Sequence, residues 1–278
     1  MNHNTVQPVT EDILLRKGAR TAKDIPKHVL QLLQAGQIES VNLTEWLAVD
    51  HLLLFQQIIV EWKLHNESHE IIEQLARMKE HRTMKIIPAI ASGWLQIINK
   101  QDLQDRSSLF TALAKHRSDG VRCWAAYVIG LDSRLNLADR LERITPFAAD
   151  HHFGVREIAW MAVRSPVTAE LSEALELLAH WVTHPDPLIR RFAIEVIRPH
   201  GVWSKHIQQL KEQPDLAVPL LEHVRSDPVK YVQDSVSNWL NDASKSNPDW
   251  VRLVCNNWAE QSDTKHTRRI ITRAQRSL

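Results

Sequence analysis

The sequence predicts an all-α protein built as a solenoid of stacked, antiparallel helix pairs, and three observations predict it. Segments built alike recur through the second half of the chain. Within them apolar residues fall at i, i+3, i+4, i+7 and i+8, the spacing of one helix face. The 278 residues include only 7 glycines, where average usage of about 7 % would give roughly 19. Little φ > 0 material is therefore present for hairpins. The closest two glycines, Gly120 and Gly130, are ten residues apart, which excludes the glycine-rich nucleotide loops.

In chain order, residues 1–100 read as irregular helices packed on, or continuing, the same superhelix. Lys27–Gln34, Leu43–His65 and His69–Lys79 are helical stretches, and Pro88–Ile98 is a short one. About five helical repeats follow over residues 101–278. Their recurring segments read Ser118-Asp119-Gly120-Val121-Arg122-Cys123-Trp124-Ala125, His152-Phe153-Gly154-Val155-Arg156-Glu157-Ile158-Ala159 and Pro187-Leu188-Ile189-Arg190-Arg191-Phe192-Ala193. Val229-Lys230-Tyr231-Val232-Gln233-Asp234-Ser235-Val236 is the fourth, and Thr267-Arg268-Arg269-Ile270 a degenerate fifth. Anchored on Val121, Val155, Ile189, Val232 and Thr267, the steps are 34, 34, 43 and 35 residues. Prolines 166, 185, 187, 199, 214, 219, 228 and 248 lie mostly between the apolar faces, where they end one helix or start the next. Two helices per unit, this period and no strand signal mark a solenoid of HEAT or armadillo type. The chain reads as a single domain over residues 1–278 with no flexible linker.

Composition bounds the function. Hydrophobic residues make up 44 % and charged residues 24 %, enough for a folded core. Cys123 and Cys255 are isolated, which removes a disulfide framework and a Cys-type zinc site and fits a cytoplasmic setting. The opening Met-Asn-His-Asn-Thr-Val-Gln-Pro lacks a signal-peptide h-region, and no run of 18 apolar residues exists. The expectation is a soluble protein that is not exported. His65 and His69, at i, i+4 around Glu67, have metal-ligand spacing on a helix but no third ligand, and read as a solvated pair. Cys123 reads as a small buried hydrophobe beside Arg122.

Net charge is +1, from 34 Lys+Arg against 33 Asp+Glu, so any polyanion site must come from charge segregation. Residues 264–278 carry Lys265, Arg268, Arg269, Arg273 and Arg276 and no acid. Stacked repeats project equivalent positions onto one surface, so Arg122, Arg156, Arg190, Arg191, Arg268 and Arg269 form a stripe. Two readings are open: a grip on a phosphate backbone, or a residue that starts helices and stacks repeats in a protein-binding scaffold.

Several strings go beyond a generic solenoid. They are Arg16-Lys17-Gly18-Ala19-Arg20 leading to Asp24-Ile25-Pro26, and the run from Ile38 through Trp46 to Asp50. Phe153-Gly154-Val155-Arg156-Glu157-x-Ala159-Trp160, Arg190-Arg191-Phe192-Ala193-x-Glu195-x-x-Arg198-Pro199 and Ser235-Val236-Ser237-Asn238-Trp239-Leu240-Asn241-Asp242-x-Ser244-Lys245 follow. In this order, from about residue 15 to the C-terminus, they resemble the AlkC branch of the HEAT-like-repeat DNA alkylation-repair glycosylases, relatives of AlkD. The resemblance implies a curved right-handed superhelix with a concave basic face. It implies a monofunctional DNA glycosylase of base excision repair, without lyase activity, that releases bases made cationic by alkylation, chiefly N3-methyladenine and next N3-methylcytosine. The implied partner is double-stranded DNA with alkylated bases, met by a monomer without cofactor, metal, membrane or obligate protein partner, in the bacterial cytoplasm and at the nucleoid when acting. The C-terminal β-sandwich module of some relatives is not expected. A non-catalytic solenoid that binds DNA structures or a protein partner is the alternative.

A cationic base is already a good leaving group, so the chemistry needs a carboxylate near the anomeric carbon more than it needs an acid. Glu157 stands in a column otherwise filled by Cys123, Arg191, Asp234 and Arg269, and both that placement and the resemblance name it as catalyst and water-orienter. Asp242 is the second candidate catalytic carboxylate, sharing a helix face with Asn238 and Lys245, and Asp234 a third. Among ten tryptophans, Trp160, Trp239 and Trp124 are candidates for a cation–π contact with the lesion, against a packing role. Arg156, Arg190, Arg191, Arg198, Asn238 and Lys245 are the candidate contacts to the DNA backbone.

Overall fold

The structure, a computed structural model, describes residues 9–201 and 203–278, and the N-terminal stretch read above for export signals lies outside them. Among the described residues there are helices, turns and no strand. Among the described residues no helix is long and apolar enough to cross a membrane. The helices are α1 (Glu11–Leu14), α2 (Lys27–Gln34), α3 (Leu43–Ala48), α4 (His51–Glu61), α5 (His65–Ala76), α6 (Thr83–Lys100), α7 (Leu103–Ala114) and α8 (Asp119–Leu131). Then come α9 (Leu137–Ala148), α10 (Phe153–Ala169), α11 (Leu171–Leu178), α12 (Pro187–Val196), α13 (Gln208–Glu212), α14 (Val218–Val224), α15 (Lys230–Ala243), α16 (Pro248–Gln261) and α17 (Lys265–Ala274).

The five repeat anchors share one structural address. Val121, Val155, Ile189, Val232 and Thr267 are each the third residue of a helix, in α8, α10, α12, α15 and α17. All five are buried. Capping fixes the starts: Asp186 accepts from the Leu188 N–H at 2.8 Å ahead of Pro187, and Thr264 accepts from the Thr267 N–H at 3.1 Å. A short polar side chain at this position satisfies a backbone donor that the helix cannot.

The first half departs from expectation in its helix boundaries, α5 running His65–Ala76 where His69–Lys79 is expected. The stretch Leu43–His65 is two helices, because Asp50 takes an extended conformation and its carboxylate accepts from the Leu52 and Leu53 N–H groups at 3.0 Å, starting α4 anew. Pro88 does not begin a short helix but lies inside α6, which runs 18 residues; Pro166 likewise lies inside α10.

The chain clusters into two compact units, one comprising residues up to Arg134 with Asp150–Ala162, the other Leu135–Ala149 with Val163–Leu278. In the first, α6 packs along α8, and α7, α5 and α4 complete the layers. Its core contains Phe55, Trp94 and Trp124, with the Phe55 ring edge-on to both indoles. Helices α8 and α10 approach so closely that a methyl group on Gly130 would collide with the Ala162 carbonyl, so a residue without Cβ is required there. In the second unit α12 packs on α15 and α15 on α17, with α14 and α16 packed beside them.

Candidate functional site

The starts of the second helices carry the residues singled out in sequence, and a recurring lock organises them. Nη1 of Arg122 donates to the His116 and Arg117 carbonyls at 2.8 and 3.3 Å. Arg156 does the same to Asp150 and His151 at 2.6 and 2.8 Å, and Arg190 to His184 and Pro185 at 2.8 and 3.0 Å. Each arginine thus closes the turn six and five residues before itself.

The other side of the guanidinium takes an aspartate from a later turn. Arg122 binds Asp150 at 2.8 and 3.0 Å, and Arg190 binds Asp227 at 2.6 and 3.1 Å. Those aspartates also hold their own turns, accepting from the His152 and Val229 N–H groups at 2.7 and 2.8 Å. In the fourth repeat Gln233 stands in for arginine and donates to the Asp227 carbonyl at 2.7 Å. Arg268 pairs with Asp263 in the fifth.

Arg190, read as a phosphate contact, has a side chain 13 % exposed and bonded bidentately to a carboxylate that is itself 4 % exposed. At Arg122 and Arg190 the recurring position thus ties one turn to the next through an aspartate. Arg191 is buried, lies 4.3 Å from the centroid of the Tyr231 ring and reaches Glu195 at 3.7 Å.

Glu157 stands one turn before Trp160 on α10, and the indole Nε1 donates to the Glu157 carboxylate at 2.9 Å. Glu157 is half-buried, while the Trp160 ring is in the core. The indole therefore holds a carboxylate at the edge of solvent instead of offering its face to a ligand. Trp124 and Trp239 are also buried, their N–H groups donating to His51 Nδ1 at 3.3 Å and to the Ile197 carbonyl at 3.0 Å. None of the three rings presents a face on which a base could stack.

In the second unit Asp242 gathers cations. Its Oδ2 accepts from Arg198 Nε and Nη2 at 2.9 and 2.7 Å, and its Oδ1 from Lys245 Nζ at 2.8 Å. The carboxylate is 5 % exposed and the lysine 50 %. Arg198 also reaches Glu195 at 3.1 Å, and Ser235 Oγ donates to Glu195 at 2.6 Å. Burial opposes charge on Glu195, yet Arg191, Arg198 and the Ser235 hydroxyl hold its carboxyl below the usual range. Asn238 accepts from Arg276 at 2.9 Å, and Asp234 binds Arg269 and Arg273 at 2.6 and 3.1 Å. Glu157 with Trp160 belongs to the first unit, and the Asp242 cluster to the second.

Sequence reasoning missed Trp203, the one tryptophan among the described residues that is mostly exposed. Its flanking Pro199 and Gly201 are the signal that it sits in a loop and not on a buried helix face. Cys123 is buried, and burial raises its thiol pKa, as expected of a packing residue. Among the described residues no group of three or more His, Cys, Asp or Glu is placed to hold a metal ion, and His69 pairs with Glu73 in the open.

A family model described as DNA alkylation repair enzyme matches residues 83–273. YhaZ of Bacillus subtilis, described as uncharacterized, is 37 % identical over 117 residues, 42 % of this chain and 32 % of that protein; the match thus spans about a third of that relative. Among solved structures, AlkD2 from Streptococcus mutans superposes with a TM-score of 0.58 at 22 % identity, over 76 % of this chain and 99 % of that one. The alkylpurine DNA glycosylase AlkC of Pseudomonas fluorescens, bound to DNA containing an abasic site analog, gives 0.55 at 20 % identity, over 80 % and 64 %. The fold of both is shared with this chain.

Proposed function

The chain belongs to the DNA alkylation repair enzyme family, and on that premise we propose that it is a monofunctional DNA glycosylase hydrolysing the N-glycosidic bond of cationic alkylated bases, N3-methyladenine first and N3-methylcytosine second. One observation carries the reading: a half-exposed carboxylate, Glu157, is held by the Trp160 N–H at 2.9 Å on the second helix of a repeat. A carboxylate fixed in this way is oriented before any ligand arrives, so little reorganisation is needed at the moment of reaction.

In the proposed reaction the C1′–N bond breaks with both electrons leaving on the base, which departs neutral, and positive charge develops on the sugar. Glu157 stabilises that charge and orients a water, whose oxygen bonds to C1′ and whose proton passes through the carboxylate to solvent. No lysine adduct is formed, so the product is an abasic site in an intact strand. Asp242, with both oxygens occupied by Arg198 and Lys245, suits the role of a positioning residue better than that of a group meeting the sugar. Lys245 is the better exposed of its partners and is assigned a backbone phosphate, with DNA approached by a monomer.

The test is incubation of the full chain with methylated duplex DNA and chromatography of the released bases. The wild type releases free N3-methyladenine. Glu157→Gln slows single-turnover release by about 100-fold or more, the usual scale for a lost electrostatic group at a reacting centre, with duplex affinity kept within about twofold. Trp160→Phe, which retains a buried ring but no donor, slows it by about tenfold. Normal release by Glu157→Gln would remove the catalytic assignment; salt-sensitive DNA binding by a wild type that releases no base would make the protein a non-catalytic binding solenoid.

A further inference from the structure

The repeat step from Ile189 to Val232 is 43 residues instead of 34, and the longer connection contains a loop after α12 that is described over residues 199–201 and 203–207. Insertions in a repeat array map to loops on its surface, often on the binding side. This loop is closed by the Ile207 N–H, which donates to the Pro199 carbonyl at 3.0 Å. Its base is clamped by the buried Arg164, whose guanidinium donates to the carbonyls of Val196, Arg198 and Lys205 at 2.8, 2.5 and 3.0 Å. The imidazoles of His200 and His206 lie with centroids 4.4 Å apart.

On this framework Trp203 is 54 % exposed and has φ +58. A bulky residue is strained in that region, and strain of this kind persists where the surroundings enforce it; Lys63 shares the same φ. The nine other tryptophans are buried or partly buried, so this indole differs from them in both exposure and backbone.

Cations lie on its own loop and on the elements tied to that loop. Lys205 and His206 are exposed in the same loop. Lys211 follows on α13, whose carbonyl at that residue accepts from Asn247 Nδ2 at 2.6 Å, tying α13 to the end of α15 and so to Lys245. The nearby carboxylates are engaged: Asp242 with Arg198 and Lys245, and Glu212 with Gln208 Nε2 at 2.7 Å. Burial above all, and then the charge of His206, lowers the pKa of His200, with Asp242 opposing and Lys245 and Lys211 adding to the shift.

An exposed flat ring among cations is the arrangement with which proteins hold unstacked nucleotides, the ring taking a base and the cations the flanking phosphates. Any base has a π-face, so such a contact needs no hydrogen-bond code. We propose that Trp203 is a nucleobase-stacking residue, its indole lying on an unpaired base of a damaged duplex while Lys205, Lys211 and Lys245 hold nearby phosphates. The inference rests on the reading of the protein as a DNA repair enzyme and adds a residue that tells damaged duplex from intact duplex.

The experiment measures affinity of the full chain for two duplexes of one sequence, one intact and one with an abasic analogue that leaves the opposite base unpaired. Trp203→Ala weakens binding to the abasic duplex by about tenfold, the scale of one base–aromatic stack, and binding to the intact duplex by less than about twofold. Trp203→Phe keeps the preference, and Trp203→Leu, apolar but not flat, loses it as alanine does. Circular dichroism and melting show whether each variant is folded, and Trp203→Leu carries the test should the alanine variant unfold. Unchanged affinity in both duplexes, or an equal loss in both, overturns the proposal. A wild type that prefers the abasic duplex through Trp203 yet releases no base overturns the glycosylase reading alone, and one that binds neither duplex overturns both.

Discussion

His51 shows what burial does to one side chain. It is 2 % exposed, its Nδ1 accepts from the Trp124 N–H at 3.3 Å, and burial pushes its pKa down to about 4. In the unfolded chain the ordinary value is about 6.5. Above that value neither state binds the proton, and His51 has no effect on stability. As pH falls from 6.5 towards 4 the unfolded chain is protonated first and stability drops, levelling off once the folded state also titrates. By pH 4.5 the loss is about 2–3 kcal/mol. His51→Gln keeps an acceptor for Trp124 and does not titrate, so between pH 7.5 and 4.5 urea unfolding should show a fall in stability smaller by that amount than in wild type. His116, also lowered to about 4, titrates in both proteins and cancels. Equal falls would refute the assignment. At the residue scale the sequence singles out Glu157 because a carboxylate there contrasts with Cys123, Arg191 and Arg269 at the equivalent positions, though not with Asp234. The tryptophans were not legible, because spacing places Trp124, Trp160 and Trp239 on equivalent helices but does not say which neighbour covers each ring.

At the scale of the element, the repeat was readable because one packing solution recurs. A buried third residue needs an apolar or small side chain, and five helices supply Val121, Val155, Ile189, Val232 and Thr267. Helix α2 coincides with the expected Lys27–Gln34, while the break at Asp50 depends on a cap that competes with helix continuation and leaves no periodic trace. The arginine after the anchor was legible as a column but not as a lock, since its aspartate is 28 residues away for Arg122 and 37 for Arg190. The lock has a measurable signature. Arg190→Ala leaves Asp227 charged, buried and without its cation, which should cost about 3 kcal/mol in urea unfolding, and Asp227→Ala added to it should restore part of the loss. Affinity of the folded Arg190→Ala protein for undamaged duplex, and its salt dependence, should match wild type. A stable variant with weakened DNA binding would return Arg190 to the phosphate contacts.

For the molecule as a whole, a net charge of +1 means that association with DNA cannot be steered by total charge and must draw on cations grouped in one place. Which helices cluster into each unit is not written in any local pattern, because both units are made of the same kind of helix pair; the charge grouping is likewise visible only once the chain is folded. Arg122, Arg190 and Arg198 each face carboxylates, so forming a phosphate contact there would require breaking an ion pair already made. Lys205, Lys211 and Lys245 are separated in sequence but lie on elements that the fold joins. Each lysine that neutralises a phosphate releases condensed counterions and adds close to one unit to the slope of log affinity against log salt concentration. Replacing all three by glutamine should therefore lower that slope by about 3 for the abasic duplex, measured by anisotropy titrations between low and moderate salt. Arg190→Ala serves as the cation loss that leaves the slope unchanged. An unaltered slope in the triple variant would place the DNA-binding surface elsewhere on the molecule.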